Sequence, residues 1–273
     1  MFLKSLGKRI AILSRGYGRE TKGMLLVSRG DGHVLCSWED CGDEPYMIAN
    51  KLQGIPVLVD ENRCRGGHYL TKKFKPDIII MDDGFQHRAL HRDLDIVLVN
   101  GGDSVRDHRL LPYGLLREPW KNIIRADAII ITKKKPNPLI KRKIDETSLP
   151  QIYARFFPTI RYPNNLSSKT EVDKNVFIIS GLGNPKFFEK TVKQLGYKIC
   201  GIKDFPDHYH YKKSDLEKVE LLAKESGASQ ILTTEKDWVK LERFNLNIVF
   251  GIVDINIRIK DEEALKKIVE PIF

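Results

Sequence analysis

Two adjacent carboxylates, Asp82 and Asp83, follow the aliphatic run Ile78 to Met81 and precede Gly84, Phe85, Gln86, His87 and Arg88, with His91 and Arg92 close behind. Acids placed directly after a short apolar run put negative charge where a buried strand meets solvent. In an open α/β sheet that place is the crevice beyond the carboxyl ends of the strands, where ligands bind. An acid at such a strand end also holds the magnesium of a bound nucleotide in P-loop enzymes. A charged turn after a core strand is the alternative. The density of Gln, His and Arg around the pair favours a functional site.

Other loops carry comparable chemistry. In Ser14-Arg15-Gly16-Tyr17-Gly18-Arg19 two glycines permit a tight turn, and the arginine forks suit phosphate or carboxylate, although a solvated basic turn explains the loop equally well. Asp43 can cap a helix opening with Glu44-Pro45-Tyr46. Alternatively, Asp43 or Glu44 faces the same crevice as Asp82 and Asp83 and accepts a hydroxyl proton. Asp207 beside His208 can orient an imidazole for proton transfer, with His210 nearby. Arg117-Glu118 reads as a capping ion pair or as a ligand contact.

The elements that must hold these residues follow an α/β pattern. A helix end at Phe2 to Leu6 leads to a strand over Arg9 to Ser14, then a hairpin of Met24 to Ser28 with His33 to Ser37. A strand at Ile55 to Val59, a helix at Arg63 to Phe74 and the strand at Ile78 imply parallel pairing in a doubly wound sheet. Strands at Leu94 to Val99 and Ala128 to Thr132 continue it. The polar stretch Asn164 to Lys174 is the expected boundary. A second α/β pattern begins at Val176, where the strand enters Gly181-Leu-Gly183 as half a dinucleotide fingerprint, equally explained by tight strand-to-helix packing.

Composition narrows the function classes. With 41% hydrophobic and 30% charged residues among 273, the chain is globular. The 46 Lys and Arg against 36 Asp and Glu give +10 and favour an anionic partner. Cys36, Cys41, Cys64 and Cys200 form no C-x-x-C, which argues against a zinc site or disulfide scaffold. No run has the length or hydropathy of a signal peptide or spanning helix, so membrane contact is expected to be peripheral. Nucleic-acid-binding signatures are missing.

In combination, S-R-G-Y-G-R (14 to 19), G-D-E-P (42 to 45), D-D-G-F-Q-H-R (82 to 88), L-L-P-x-G-x-L-R-E-P (110 to 119), S-G-L-G (180 to 183), F-P-D-H-Y (205 to 209) and T-T-x-K-D (233 to 237) resemble the tetraacyldisaccharide 4'-kinase family of lipid A biosynthesis. The resemblance implies a P-loop-kinase-like, mostly parallel sheet with helices on both faces and a second, smaller α/β lobe joined by a two-stranded linker. The corresponding divisions are 1–150 for the core, 151–165 for the linker, 166–247 for the second domain and 248–273 for the return strand and terminal helix. It implies ATP and Mg2+ as cofactors, an acylated disaccharide 1-phosphate as substrate, and a peripheral site of action on the anionic cytoplasmic face of the inner membrane. By motif, Asp43 becomes the base and His208 its partner; Glu44, Gln86 and His87 contact the nucleotide; Asp82 and Asp83 hold the metal; and Arg15, Tyr17, Arg19, Arg117 and Glu118 contact substrate. The family's G-x-x-x-x-G-K-[ST] loop does not occur in these residues. The expectation is therefore an amino-terminally shortened kinase that alone binds ATP poorly and turns over little, or a non-catalytic module binding a phosphorylated lipid or sugar.

Overall fold

The computed structural model describes residues 2–163, 173–244 and 247–273. The strands, in chain order, are β1 Ile10–Ser14, β2 Leu25–Ser28, β3 Val57–Val59, β4 Ile78–Met81, β5 Ile96–Asn100, β6 Ala128–Thr132, β7 Gln151–Arg161, β8 Asn175–Ser180, β9 Lys198–Asp204, β10 Gln230–Thr234 and β11 Val249–Ile259. Cα proximity divides the chain into two compact units, one of residues 1–84 with 158–254, the other of 85–157 with 255–273. The sequence-based division at 150 and 166 falls elsewhere. It reads the chain in order, whereas this grouping joins segments far apart in sequence, as the packing of the Asp43–Lys51 helix on the Glu235–Leu241 helix illustrates.

In the first unit, a four-stranded sheet has the order β2-β3-β1-β4. β1 runs parallel to β3 and β4, with Leu13 opposite both Leu58 and Met81. Every residue of β1 is buried, as a parallel strand covered on both faces requires. Alternate side chains serve opposite faces. Ile10 and Ile12 cluster with Val57, Val59 and Ala49 of the Asp43–Lys51 helix, while Ala11 and Leu13 cluster with Leu58 and with Leu70 of the Arg63–Phe74 helix. Helices therefore cover both faces. Gly66 makes the second contact possible, since a Cβ there would lie 2.8 Å from Leu13 Cδ1.

The same unit contains a parallel arrangement in which β10 pairs β8 and β11, and β8 pairs β9. Phe177 and Ile179 pack with Leu216, Val219, Ala223, Ile231, Leu241 and Phe250. The glycine at 181 is explained here without a dinucleotide. Asp237, fully buried, accepts from Gly181 N (3.1 Å), Tyr211 Oη (2.9 Å) and Thr234 Oγ1 (2.7 Å), and a Cβ on Gly181 would stand 2.8 Å from Asp237 Oδ1.

In the second unit, β5, β6 and the start of β7 pair in parallel, and Ile140 and Ile144 of the Pro138–Asp145 helix pack with Val99, Ile129 and Ile131. The stretches expected to form linker strands are β7 and β11, each of 11 residues, and the grouping by proximity assigns part of each to either unit. β7 is continuous through Pro158. The expected boundary at 164 to 174 lies, except for its last two residues, outside the described residues. The expected hairpin keeps only its first arm. Beyond β2 there is a single bridge, Ser28 to Val34, because residues 33–37 turn into the capped Trp38–Cys41 helix.

Asp237→Ala would leave three buried donors without their acceptor. It should cost about 3 kcal/mol or more in urea unfolding, whereas Asp237→Asn, which keeps one acceptor oxygen, should cost less.

Candidate active site

The Asp43–Lys51 helix begins at Asp43, and Gly42, at φ 95°, occupies the cap position. This corrects the reading of Asp43 as the cap residue. A Cβ on Gly42 would lie 3.1 Å from Tyr17 O, and one on Gly16 would lie 2.7 Å from Cys41 O. The two glycines thus let the Arg15–Arg19 loop lie against the helix start. Freed from capping, the Asp43 carboxylate is 4% exposed and faces three partners through Oδ2. His208 Nδ1 lies at 3.0 Å, Lys240 Nζ at 3.1 Å and Lys236 Nζ at 3.9 Å. Oδ1 accepts the Glu44 N–H at 3.0 Å.

Lys236 and Lys240 are four residues apart on one helix, so they share a face. Lys240 is fully buried, a state an ammonium tolerates only beside a counter-charge, and its Nζ also lies 5.4 Å from the centroid of the buried Trp38 ring. Lys236 sits nearer the surface and spans several groups: Asp207 Oδ1 at 3.1 Å, His208 Nε2 at 3.4 Å and Glu44 Oε1 at 3.9 Å. A neutral His208 that donates from Nδ1 to Asp43 leaves Nε2 to accept from Lys236. The His208 backbone has φ 58° and its N–H donates to Asp207 Oδ1 (3.0 Å), which holds the ring in place. Neither lysine stood among the residues assigned roles from sequence. The i, i+4 spacing within and just beyond T-T-x-K-D was the available signal.

Glu44 is pushed above the ordinary carboxylate range by burial first, with Asp43 and Asp82 adding to the rise and Lys236 and His208 opposing it. Lys236 and Asp207 lie close enough that Asp207 falls below its ordinary value, burial opposing the drop. Asp82 and Asp83 stand at the carboxyl end of β4, as expected, and Asp82 Oδ2 accepts from Ser14 Oγ at 3.2 Å. Asp83 has φ 49°, a left-handed conformation that an aspartate adopts at modest cost. Arg63, another residue without a sequence signal, is buried beside them. Burial lowers its pKa first and Arg15 second, while Asp83, Asp60 and Asp82 raise it.

The basic loop divides in two. Arg15 is exposed, and Tyr17 is exposed with its ring 5.9 Å from that of His208. Arg19 turns inward, its side chain 3% exposed and donating to Glu61 Oε1 and Gly23 O. In the second unit, Glu118 collects Gln86 Nε2 (3.0 Å), Asn122 Nδ2 (2.8 Å) and both terminal nitrogens of Arg125 (2.8 and 2.9 Å). Arg125 first, with Asn122 and Gln86, holds Glu118 down at about 2 against the effect of burial. Arg117 is exposed, and the His87 carbonyl accepts from Arg92 Nη1. Asp82, Asp83 and Ser14 offer hard oxygen ligands that fit a magnesium ion completed by water and phosphate oxygens. Among the described residues no group of three or more His, Cys, Asp or Glu could hold a metal.

A family model described as tetraacyldisaccharide-1-P 4'-kinase matches residues 1–273. A tetraacyldisaccharide 4'-kinase of Aquifex aeolicus is 38% identical over 100% of this chain and 82% of its own length. One of Syntrophus aciditrophicus is 34% identical over 98% of this chain and 76% of its own. A crystal structure described as the "apo" form of LpxK from Aquifex aeolicus in complex with ATP superposes with a TM-score of 0.74 at 36% identity, over 100% of this chain and 81% of that one.

Lys240→Met should cost about 3 kcal/mol in urea unfolding at neutral pH, because it strands a buried carboxylate, and Asp43→Asn in that background should recover part of the loss. For Glu118 the folded value lies near 2 against an ordinary 4.5. A depressed carboxylate stabilises above its unfolded pKa and loses that contribution as pH falls through the folded one. Hydrogen exchange at residues 118–125 should therefore quicken as pH falls below about 4.5, after correction for the intrinsic rate, whereas Glu118→Gln should be about 1 kcal/mol less protected at pH 7 and flat across that window.

Proposed function

Because the chain belongs to the tetraacyldisaccharide-1-P 4'-kinase family, we propose that it transfers the γ-phosphoryl of ATP to the 4'-hydroxyl of an acylated disaccharide 1-phosphate, with Asp43 as proton acceptor and His208 as its partner. The observation that carries this reading is the 3.0 Å contact of His208 Nδ1 with a carboxylate beside two lysines. Phosphoryl transfer asks the protein for positioning, charge neutralisation and one proton acceptor rather than for a covalent intermediate. The Asp43 cluster supplies the acceptor. Its Oδ2 is taken by His208 and the ammonium groups, so Oδ1, next to the Glu44 N–H, is the oxygen left to receive the hydroxyl proton.

Asp82 and Asp83 are the residues proposed to hold magnesium, which when bound neutralises charge on the nucleotide phosphates. Glu44 stands on the same side, within electrostatic reach of Asp82. Arg15 and Tyr17 are proposed for the substrate phosphate. Arg19, tied to Glu61 and Gly23, serves that contact by holding the loop. Gln86 and His87 are proposed for nucleotide contact and Arg117 for substrate contact, with Glu118 fixing Gln86 in place. No helix among the described residues is long and apolar enough to cross a membrane, and the proposed place of action is the anionic inner-membrane surface, met peripherally.

A second reading follows from residues 1–273 containing no G-x-x-x-x-G-K-[ST] run: the crevice binds the phosphorylated lipid and transfers nothing. Transfer from labelled ATP to the disaccharide 1-phosphate in detergent micelles separates the two. Transfer supports the kinase, and lipid binding without ATP binding supports the module. Under the kinase reading, Asp43→Ala should lower kcat by about a thousandfold with an unchanged circular dichroism spectrum. Undiminished kcat would remove Asp43 as the acceptor.

A further inference from the structure

We propose that the loop from Leu110 to Leu116 in the second unit is a wedge that docks this protein onto an anionic phospholipid bilayer; the proposal rests on the reading of an acylated lipid as substrate. The loop turns its apolar side chains outward. Leu110 is 45% exposed, Leu111 58%, Tyr113 75% and Leu115 65%, a concentration that isolated surface leucines do not explain.

The loop is closed by its own backbone. Leu111 N donates to Leu116 O (3.0 Å), Tyr113 N to Leu110 O (2.9 Å), Gly114 N to Leu110 O (3.1 Å) and Leu116 N to Arg109 O (3.0 Å). Gly114 admits no side chain, since a Cβ would lie 2.3 Å from Arg109 O. The interior of the turn is thus filled by main chain, and the leucines and tyrosine have no inward place to go. A turn whose N–H groups from 111 to 116 are paired within the protein can enter the edge of a bilayer without carrying unpaired N–H donors into it.

The charges complement that apolar tip. Arg106 and Arg109, just before the loop in sequence, and Lys121, shortly after it, are exposed. The nearby acids are engaged within the protein: Asp107 accepts from Ser104 N (2.7 Å) and Ser104 Oγ (2.8 Å), Asp103 lies 3.7 Å from His108, and Glu118 is bound to Arg125. Exposed apolar side chains and an amphipathic tyrosine in a loop flanked in sequence by exposed basic residues match acyl chains beneath anionic head groups. A protein pocket would have to supply both a hydrophobic socket and an acidic rim, and nothing here selects one.

The test uses vesicles of phosphatidylcholine with and without phosphatidylglycerol, free of any disaccharide lipid. The chain should sediment with the anionic vesicles, less so as salt rises, and Leu111→Ser with Leu115→Ser should weaken that binding at least about tenfold. In Tyr113→Trp the introduced indole should shift to shorter wavelength on binding and be quenched by brominated acyl chains. Failure of the wild-type chain to sediment, undiminished binding by the double variant, or no quenching would each overturn the proposal. Transfer to the disaccharide in detergent micelles is measured in parallel. Its loss in the wild type, with loop-dependent vesicle binding intact, would count against the kinase reading alone.

Discussion

The first unit depends on one compensated burial. Asp43 and Lys240 are each withdrawn from water, and neither could be so alone, because an unpaired charge in that position would cost several kcal/mol. Together with Lys236 and His208 they tie the start of one helix, the first turns of another and the 206–211 loop to a single point. Removing this ion cluster would leave the two sheets of the unit to associate through ordinary packing. Its presence also dictates small residues nearby. Gly42 and Gly16 exist in positive φ so that the Arg15–Arg19 loop can lie against the helix start, where a β-carbon would strike main chain.

Strain collects at the same place. Asp83 and His208 are two of five non-glycine residues with positive φ among the described residues, and each carries a side chain proposed for the reaction. Such conformations cost energy that the surrounding structure has to hold. On one side it is held by β4, registered against the wholly buried β1; on the other by Asp207, which binds the His208 amide and Lys236 together. Rigid parallel strands with apolar cores on both faces thus support bent backbone at their carboxyl ends, where the functional groups need specific directions rather than regular geometry.

Much of this was legible in local pattern. The strands at 10–14, 57–59 and 78–81 announce themselves as short aliphatic runs, and the acids after Met81 mark the strand end that the structure confirms. What local pattern could not decide was the state of Asp43. A carboxylate at a helix start has capping as its default use, and only the left-handed geometry of Gly42 and partners 165 to 197 residues away redirect it. Lys236 and Lys240 escaped notice for a related reason: in a chain with 46 Lys and Arg, a lysine on a helix reads as a solvated side chain, and its burial is a tertiary fact. The division at 150 follows chain order, while the grouping of residues 1–84 with 158–254 follows space. S-G-L-G went the other way. Its first glycine, Gly181, serves the buried Asp237, so packing accounts for that position.

The contrast between Asp43 and Glu44 shows how neighbouring acids acquire different surroundings. Asp43 is nearly inaccessible yet surrounded by two ammonium groups and an imidazole, so its charge is offset in place. Glu44 is about half exposed, has one ammonium at 3.9 Å, and is raised by burial first and then by the charges of Asp43 and Asp82. The charge of Asp43 is thus offset in place, whereas that of Glu44 has less cationic support. One helix turn presents both surroundings, because Gly42 occupies the cap position and the side chains of the next two residues are left to contacts other than capping.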